Sequence, residues 1–308
     1  MSYYIGIDGG GTNARLLAVN ENGKCIGSAR GGSTNIASNP PEKVLENLQG
    51  MLRECQERYG LEPEECAGLC IGTAGADSAQ SRRTVEELLF YLPAAGPRKV
   101  VNDAVIALYA ASKGGPGVIL ISGTGSIAYG INGRGETFRA GGHDYLVGDE
   151  GSAYWVAKEG VSAALRFSDG TGGETSLLRD LCGELRISSA EELADYVYSH
   201  NKSDLAALCG IVSAAAGRGD HEAVRIMDRA AEKLILLVKA VLRKLEMAGE
   251  IVPLVPAGGF LKNDMQLRGR FEDALRRESV RVRLMEPEMP AQWGAAMLAR
   301  DLAGKDTG

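Results

Sequence analysis

The chain has 308 residues, 44% of them hydrophobic and 24% charged, enough apolar material for more than one core in an ordinary globular protein. A net charge of -6 with no basic stripe speaks against nucleic acid or an anionic membrane surface as partner. No apolar run of ~18 residues and no leading charged-then-apolar segment occurs, so the sequence reads as cytoplasmic and not membrane-bound.

Taken in chain order, residues 3–31 predict three short strands, with turns at Gly9-Gly10-Gly11 and Asn22-Gly23. A helix follows from about Glu42 to Arg58, with Val44, Leu45, Leu48, Met51, Leu52 and Cys55 on one face. Next come a strand near Ala67–Thr73, a helix near Gln80–Tyr91, a short strand Lys99–Val101, and a helix that opens at Asn102-Asp103. The pattern then restarts. Gly117–Ile121 is a strand ending in Ser122-Gly123-Thr124-Gly125-Ser126, Ile127–Ile131 is a second, Asn132-Gly133 is a hairpin turn, and Glu136–Ala140 is a third. A helical insertion spans roughly 152–248; its last helix runs through Val224, Met227, Leu234, Val238 and Leu245, with Gly249 as its stop. Strands return at Ile251–Pro256 and Val280–Met285, and a helix near Ala291–Leu302 closes the chain.

Both halves therefore begin with an apolar strand, a glycine turn carrying Thr or Ser, and a second strand, which predicts an internally duplicated α/β protein. The expected division gives a first domain at 1–112, joined by the C-terminal helix 290–303, and a second at 113–289 containing the insertion 152–248. The small-residue run Ser112–Pro116 is the expected boundary, with a cleft between the domains.

The turns Asp8-Gly9-Gly10-Gly11-Thr12-Asn13 and Ser122-Gly123-Thr124-Gly125-Ser126 suit a phosphate. Glycines permit a tight turn and a close backbone approach, and the hydroxyls of Thr12 and Thr124 can donate to phosphate oxygens. Asp8 suits Mg²⁺ held through water, since that ion keeps most of its hydration shell. A dinucleotide-binding reading of Gly-x-Gly-x-x-Ala requires a following helix, but each turn here leads into a strand. Of the six cysteines, only Cys66 and Cys70 are close, and their spacing fits no standard zinc or iron–sulfur pattern.

Ile5–Thr12 and Val118–Ser126 resemble the first and second phosphate motifs of the actin/hexokinase/heat-shock ATPase superfamily. Val255-Pro256-Ala257-Gly258-Gly259-Phe260 resembles its adenosine motif. Gly148-Asp149-Glu150-Gly151-Ser152-Ala153-Tyr154-Trp155 narrows the resemblance to N-acetylglucosamine kinases and their relatives in the BadF/BadG/BcrA/BcrD ATPase family. The fold implied is a pair of ribonuclease H-like domains, the actin-like ATPase fold. The activity implied is transfer of the γ-phosphoryl of ATP, with Mg²⁺, to a hydroxyl of an amino sugar such as N-acetylglucosamine, glucosamine or N-acetylmuramic acid, at C6. The resemblance makes Asp103 the catalytic base and Gly9–Asn13, Gly123–Gly125, Gly258 and Gly259 the nucleotide contacts. It places Asn35, Gly75, Asp103, Gly142, His143 and Asp149 at the sugar, and leaves pairing into a homodimer open.

Plainer roles stand beside these: Asp103 as a helix cap, Asn35 as a turn residue, Asp149 as a helix N-terminal acid and His143 as a loop residue. Many such kinases carry Gly-Gly-Trp-Gly where this chain has Gly141-Gly142-His143-Asp144, a polar ring in place of an apolar wall, so N-acetylglucosamine does not follow automatically. Two other activities of this fold remain alternatives. One is an ATP-driven activator of an acyl-CoA dehydratase or reductase, which needs cysteines for an iron–sulfur cluster. The other is a sugar-sensing regulator, for which a first motif at residue 5 leaves no room for a preceding DNA-binding module.

Overall fold

Tyr3, Ile5 and Ile7 alternate along β1 (Tyr3–Gly9) and face a helix layer, so the first strand is buried from the outset. The computed structural model describes residues 2–10, 12–36, 38–73 and 79–305. Residue contacts divide the chain into two units, Met1–Gly117 with Met285–Gly308, and Val118–Leu284.

In the first unit, β1, β2 (Asn13–Asn20) and β3 (Cys25–Gly32) form an antiparallel meander. β4 (Cys66–Thr73) joins β1 in parallel and β5 (Arg98–Val101) joins β4 in parallel, giving the order β3-β2-β1-β4-β5. One face carries α1 (Pro41–Tyr59) and α2 (Ala79–Leu89), whose Leu48, Met51, Val85 and Leu89 close a core with Ile5, Ile7, Leu69 and Ile71. The other carries α3 (Asp103–Ser112) and the last helix, α12 (Ala291–Lys305), packed on Cys70 and Val19. α12 lies directly on the strand backbone: a Cβ built on Gly6 would stand 2.0 Å from the Gln292 carbonyl oxygen.

The second unit repeats this plan. β6 (Gly117–Ser122), β7 (Ser126–Ile131), β8 (Thr137–Gly141), β9 (Val252–Ala257) and β10 (Val282–Leu284) stand in the order β10-β9-β6-β7-β8, the first sheet's order read from the other edge. β9 is parallel to both β6 and β10. The equivalence extends to the hairpin turns. Asn20 Oδ1 accepts from the N–H groups of Asn22 and Lys24, and Asn132 Oδ1 accepts from those of Arg134 and Glu136. Gly23 and Gly135 take the left-handed conformation in these turns, with φ of 74° and 79°. The second turn spans Asn132–Gly135 and so contains the expected Asn132-Gly133, with Gly135 as its left-handed last residue, and β8 starts one residue later than read from sequence.

Between β8 and β9 lie α4 (Ala153–Ser168), α5 (Leu177–Leu185), α6 (Ala190–Ser199), α7 (Lys202–Ala207), α8 (Cys209–Gly217) and α9 (His221–Lys244). Ile226, Met227, Leu234, Ile235, Val238 and Val241 of α9 anchor this layer in the unit's core. α9 ends before Gly249. Glu246 adopts φ 58°, and the Met247 N–H returns to the Leu242 carbonyl at 2.8 Å, burying Met247. β9 is followed by α10 (Gly259–Asn263) and α11 (Met265–Arg277). Among the described residues no helix is long and apolar enough to cross a membrane.

Candidate active site

The first turn is braced from behind. Thr34 Oγ1 lies 2.1 Å from where a Cβ on Gly9 would be, and Thr73 Oγ1 donates to the carbonyls of Gly9 (3.2 Å) and Thr34 (3.3 Å). Both threonines are fully buried and tie the end of β1 to the end of β4 and to the 33–39 loop. The Gly10 N–H closes the turn on the Asn13 carbonyl at 3.0 Å, so Gly10 shapes the loop and its amide is already engaged. Thr12 and Asn13 are exposed at the tip, whereas Gly11 and Gly75 lie outside the described residues.

Ser33 Oγ donates to the Gly10 carbonyl (3.2 Å), and Asn47 of α1 donates to the Ser33 carbonyl (2.8 Å), which hangs Asn35 beside the turn. The Asn35 carbonyl accepts from the N–H groups of Ser38 (3.2 Å) and Asn39 (3.1 Å), so Asn35 also organises its own turn. Asp8 stands opposite Arg15 of β2 in the strand register. Burial pushes its carboxyl above the ordinary range, and the Arg15 charge offsets this only in part.

At the end of β5, Asn102 takes the N-cap of α3, its Oδ1 accepting from the Ala104 N–H at 2.8 Å. Asp103 is thus the first residue inside the helix and not its cap. Its Oδ1 lies 2.9 Å from the same Ala104 N–H.

In the second unit, parallel pairing of β6 with β9 aligns their C-terminal ends and sets the second turn beside Gly258-Gly259. A Cβ on Gly258 (φ 85°) would fall 2.3 Å from the Ser122 carbonyl oxygen, so only glycine allows this approach. A Cβ on Gly123 would have Gly259 N as its nearest neighbour at 3.7 Å. The Gly123 N–H closes the turn on the Gly125 carbonyl (2.9 Å), while the amides of Thr124 and Gly125 make no hydrogen bond among the described residues. The Thr124 side chain is exposed.

The acidic signature folds back onto this turn. Ser122 Oγ donates to the Gly151 carbonyl (2.9 Å), Ser126 Oγ to the Glu150 carbonyl (2.7 Å), and the Ala153 N–H to the Gly123 carbonyl (2.9 Å). Asp149 is buried, with φ 56°, and its Oδ1 accepts the Ser126 N–H at 3.2 Å. Gly125 faces the same carboxylate: a Cβ there would stand 2.7 Å from Oδ2. The N-cap of α4 is Ser152, which accepts from the Trp155 N–H, so Asp149 is not that helix's capping acid. Gly142 (φ 68°) donates its N–H to the Ser126 carbonyl (2.9 Å), and His143 beyond it is exposed.

The structure thus gathers two groups of expected site residues. Gly9, Gly10, Thr12, Asn13 and Asn35 meet at one end of the first sheet. Gly123–Gly125, Gly258, Gly259, Gly142 and Asp149 meet at one end of the second. The sequence reading missed the buried Thr34–Thr73 brace and the partner of Asp149, Lys202, whose Nζ lies 2.9 Å from Oδ2. Thr73 was detectable as a polar residue ending the apolar strand β4, whereas Thr34 lies in a polar loop after β3 and Lys202 sits 53 residues from its partner, both without a local signal.

Mg²⁺ fits this donor set only sparsely. Among the described residues no group of three or more His, Cys, Asp or Glu could hold a metal. Asp8 supplies a desolvated carboxylate beside the first turn, which suits an ion that brings its own water and nucleotide oxygens. Cys66 and Cys70 are fully buried in β4, and burial pushes their thiols up to about 11 and about 12, so neither is an accessible thiolate for a cluster.

Two sheets of identical strand order, each with a strand–turn–strand at the matching place, define a duplicated actin-like ATPase fold. The family model for the BadF/BadG/BcrA/BcrD ATPase family matches residues 5–299, and the chain belongs to that family. An N-acetylmuramic acid/N-acetylglucosamine kinase of Clostridium acetobutylicum is 37% identical over 97% of this chain and 99% of its own. An N-acetyl-D-glucosamine kinase of Dictyostelium discoideum is 27% identical over 96% and 97%. The crystal structure of a candidate N-acetylglucosamine kinase of Chromobacterium violaceum covers 97% of this chain and 99% of its own at 25% identity, with a TM-score of 0.73.

Proposed function

We propose that the protein is an ATP-dependent amino-sugar kinase that phosphorylates the C6 hydroxyl of N-acetylglucosamine or N-acetylmuramic acid. The observation that carries this reading is the 37% identity to a kinase for both sugars over 97% of the chain. The geometry supports it. Thr12 and Thr124 present exposed hydroxyls on topologically equivalent turns, and the Thr124 and Gly125 amides are open to phosphate oxygens. Gly258-Gly259 gives the nucleoside a backbone surface without side chains.

Asp103 is the base: it accepts the proton of the sugar hydroxyl as that oxygen attacks the γ-phosphorus. The N-cap of α3 is Asn102, so Asp103 stands one residue inside the helix at the end of β5. Asn35 and Asp149 hydrogen-bond the sugar hydroxyls, and Gly142 and His143 are further contacts to the sugar. Asp8 would hold Mg²⁺ through water, and the ion would supply charge neutralisation at the phosphates.

A coupled ADP-release screen over N-acetylglucosamine, N-acetylmuramic acid and glucosamine tests the reading. Sugar-dependent turnover with at least one N-acetylated sugar is the expected result. ADP release that no amino sugar stimulates would overturn it.

A further inference from the structure

Lys202, the first residue of α7, places Nζ 2.9 Å from Asp149 Oδ2 and 2.5 Å from Asp144 Oδ1. Its base is anchored by a reciprocal cap. Asn201 accepts from the N–H groups of Ser203 and Asp204, and the Asp204 carboxylate accepts from the Asn201 N–H. The ammonium sits 5.3 Å from the centre of the Tyr145 ring, which meets Tyr154 of α4 edge-on at 5.0 Å. The Asp144 carbonyl accepts the Gly148 N–H at 2.8 Å, so 144–148 is already a closed loop, and Lys202 joins the carboxylates at its two ends.

This arrangement fixes both Asp149 oxygens from different directions, Oδ1 by the Ser126 amide and Oδ2 by Lys202. It does so at a buried residue in left-handed backbone, a conformation a non-glycine residue keeps only where its surroundings hold it. Burial pulls the Lys202 pKa down, but its hydrogen bonds and charge pairing with Asp144 and Asp149 outweigh that and leave it raised. Lys202 in turn holds Asp144 below the usual carboxylate range. Lys202 and Asp144 are therefore both charged near neutral pH.

We propose that Lys202 is a positioning residue of the kinase: it clasps the 144–149 loop and holds Asp149 against the second phosphate turn, and so sets affinity for the sugar. The proposal rests on the kinase reading, and it adds a residue of the helical insertion to the sugar site. Lys202→Met removes the charge and keeps much of the stem's packing; Lys202→Arg keeps the charge. With N-acetylglucosamine and ATP-Mg²⁺ as probes, Lys202→Met raises the sugar KM roughly 10- to 100-fold, the scale expected of a displaced contact group. The ATP KM stays within about twofold, and Lys202→Arg recovers most of the loss. A merely structural role would weaken both substrates together.

A folded Lys202→Met enzyme with the wild-type sugar KM overturns the proposal, as does equal weakening of both substrates. Should the Met variant not fold, Lys202→Gln carries the same test. If the wild-type protein phosphorylates no amino sugar, the kinase reading fails, and the clasp is judged by amide hydrogen exchange at Ser126 and Gly148. Faster exchange in the uncharged variant supports the clasp, and unchanged exchange refutes it.

Discussion

Asp103 and Asp8 illustrate what a single carboxylate does when its neighbours take over, or withhold, the usual partners. Because Asn102 caps α3, Asp103 is not needed to start the helix. Asp103→Asn is therefore expected to leave the thermal midpoint nearly unchanged and the ATP Kd within about twofold, while kcat falls roughly 10²- to 10⁴-fold. A variant with normal sugar phosphorylation would remove Asp103 from the chemistry. Asp8 has the opposite character. Its carboxyl is raised by burial, so the folded state favours the protonated form more than the unfolded chain does. The stability linked to this group is complete below the unfolded carboxylate pKa and is lost as pH rises through the folded value. Asp8→Asn should therefore melt higher than wild type at pH 7 without nucleotide, with the difference closing in acid, and should lose Mg²⁺-dependent turnover. Thermal melts of both proteins across that pH range check the sign. Asp8 was visible in the sequence because it precedes a glycine turn. Lys202 was not, because its importance comes from a partner that only the folding of the insertion delivers.

At the scale of elements, Gly123 in the second turn and Gly258 beside it do different work. Gly258 is sterically required: any Cβ there meets the Ser122 carbonyl, in a backbone conformation that L residues rarely adopt. Gly123 is not, since a Cβ there meets nothing closer than 3.7 Å. Gly258→Val should thus lower stability by about 1–3 kcal/mol or more through overpacking. Gly123→Val should fold normally yet weaken ATP binding by filling the space in front of the turn. Urea titration and nucleotide titration of the two variants separate these effects; unchanged ATP affinity in Gly123→Val would count against the turn as a phosphate site. The strands and the helices outside the insertion were legible, because apolar periodicity and glycine turns are local signals, whereas within the insertion only the last helix was read individually. Element ends were less so. α9 stops at a left-handed Glu246 because burying Met247 outweighs that residue's preference, and a sequence reader looks instead to Gly249.

For the whole molecule, duplication is the feature that ties sequence to site. The repeat of β-β-β-α-β-α-β-α could be read from the chain. The structure adds that even the Asn-x-x-Gly hairpin turns, Asn20–Gly23 and Asn132–Gly135, correspond. The repeats diverge between their third and fourth strands, where the first has α1 and the second has α4 to α9. Insertion at that point lengthens one connection and leaves sheet order intact, which is why sheet order survives and insertion contacts such as Lys202–Asp149 escape prediction. The helix after the last strand of each repeat, α3 or α12, packs in the first unit, so that unit is built from two distant chain segments. Its integrity depends on α12 reaching the backbone of β1, and Gly6 is where they touch. Gly6→Val would drive a branched side chain into the Gln292 carbonyl and the Ala296 amide and lift α12 from the sheet. The expected result is accelerated hydrogen exchange in β1, β4 and α3, with protection in β6, β9 and α9 retained, because the second unit's core contains no residue of α12. Uniform loss of protection throughout the chain would mean that the two cores do not behave as separate cooperative units. Unchanged protection in β1 and β4 would mean that α12 can move aside without loosening the sheet that carries the first glycine turn.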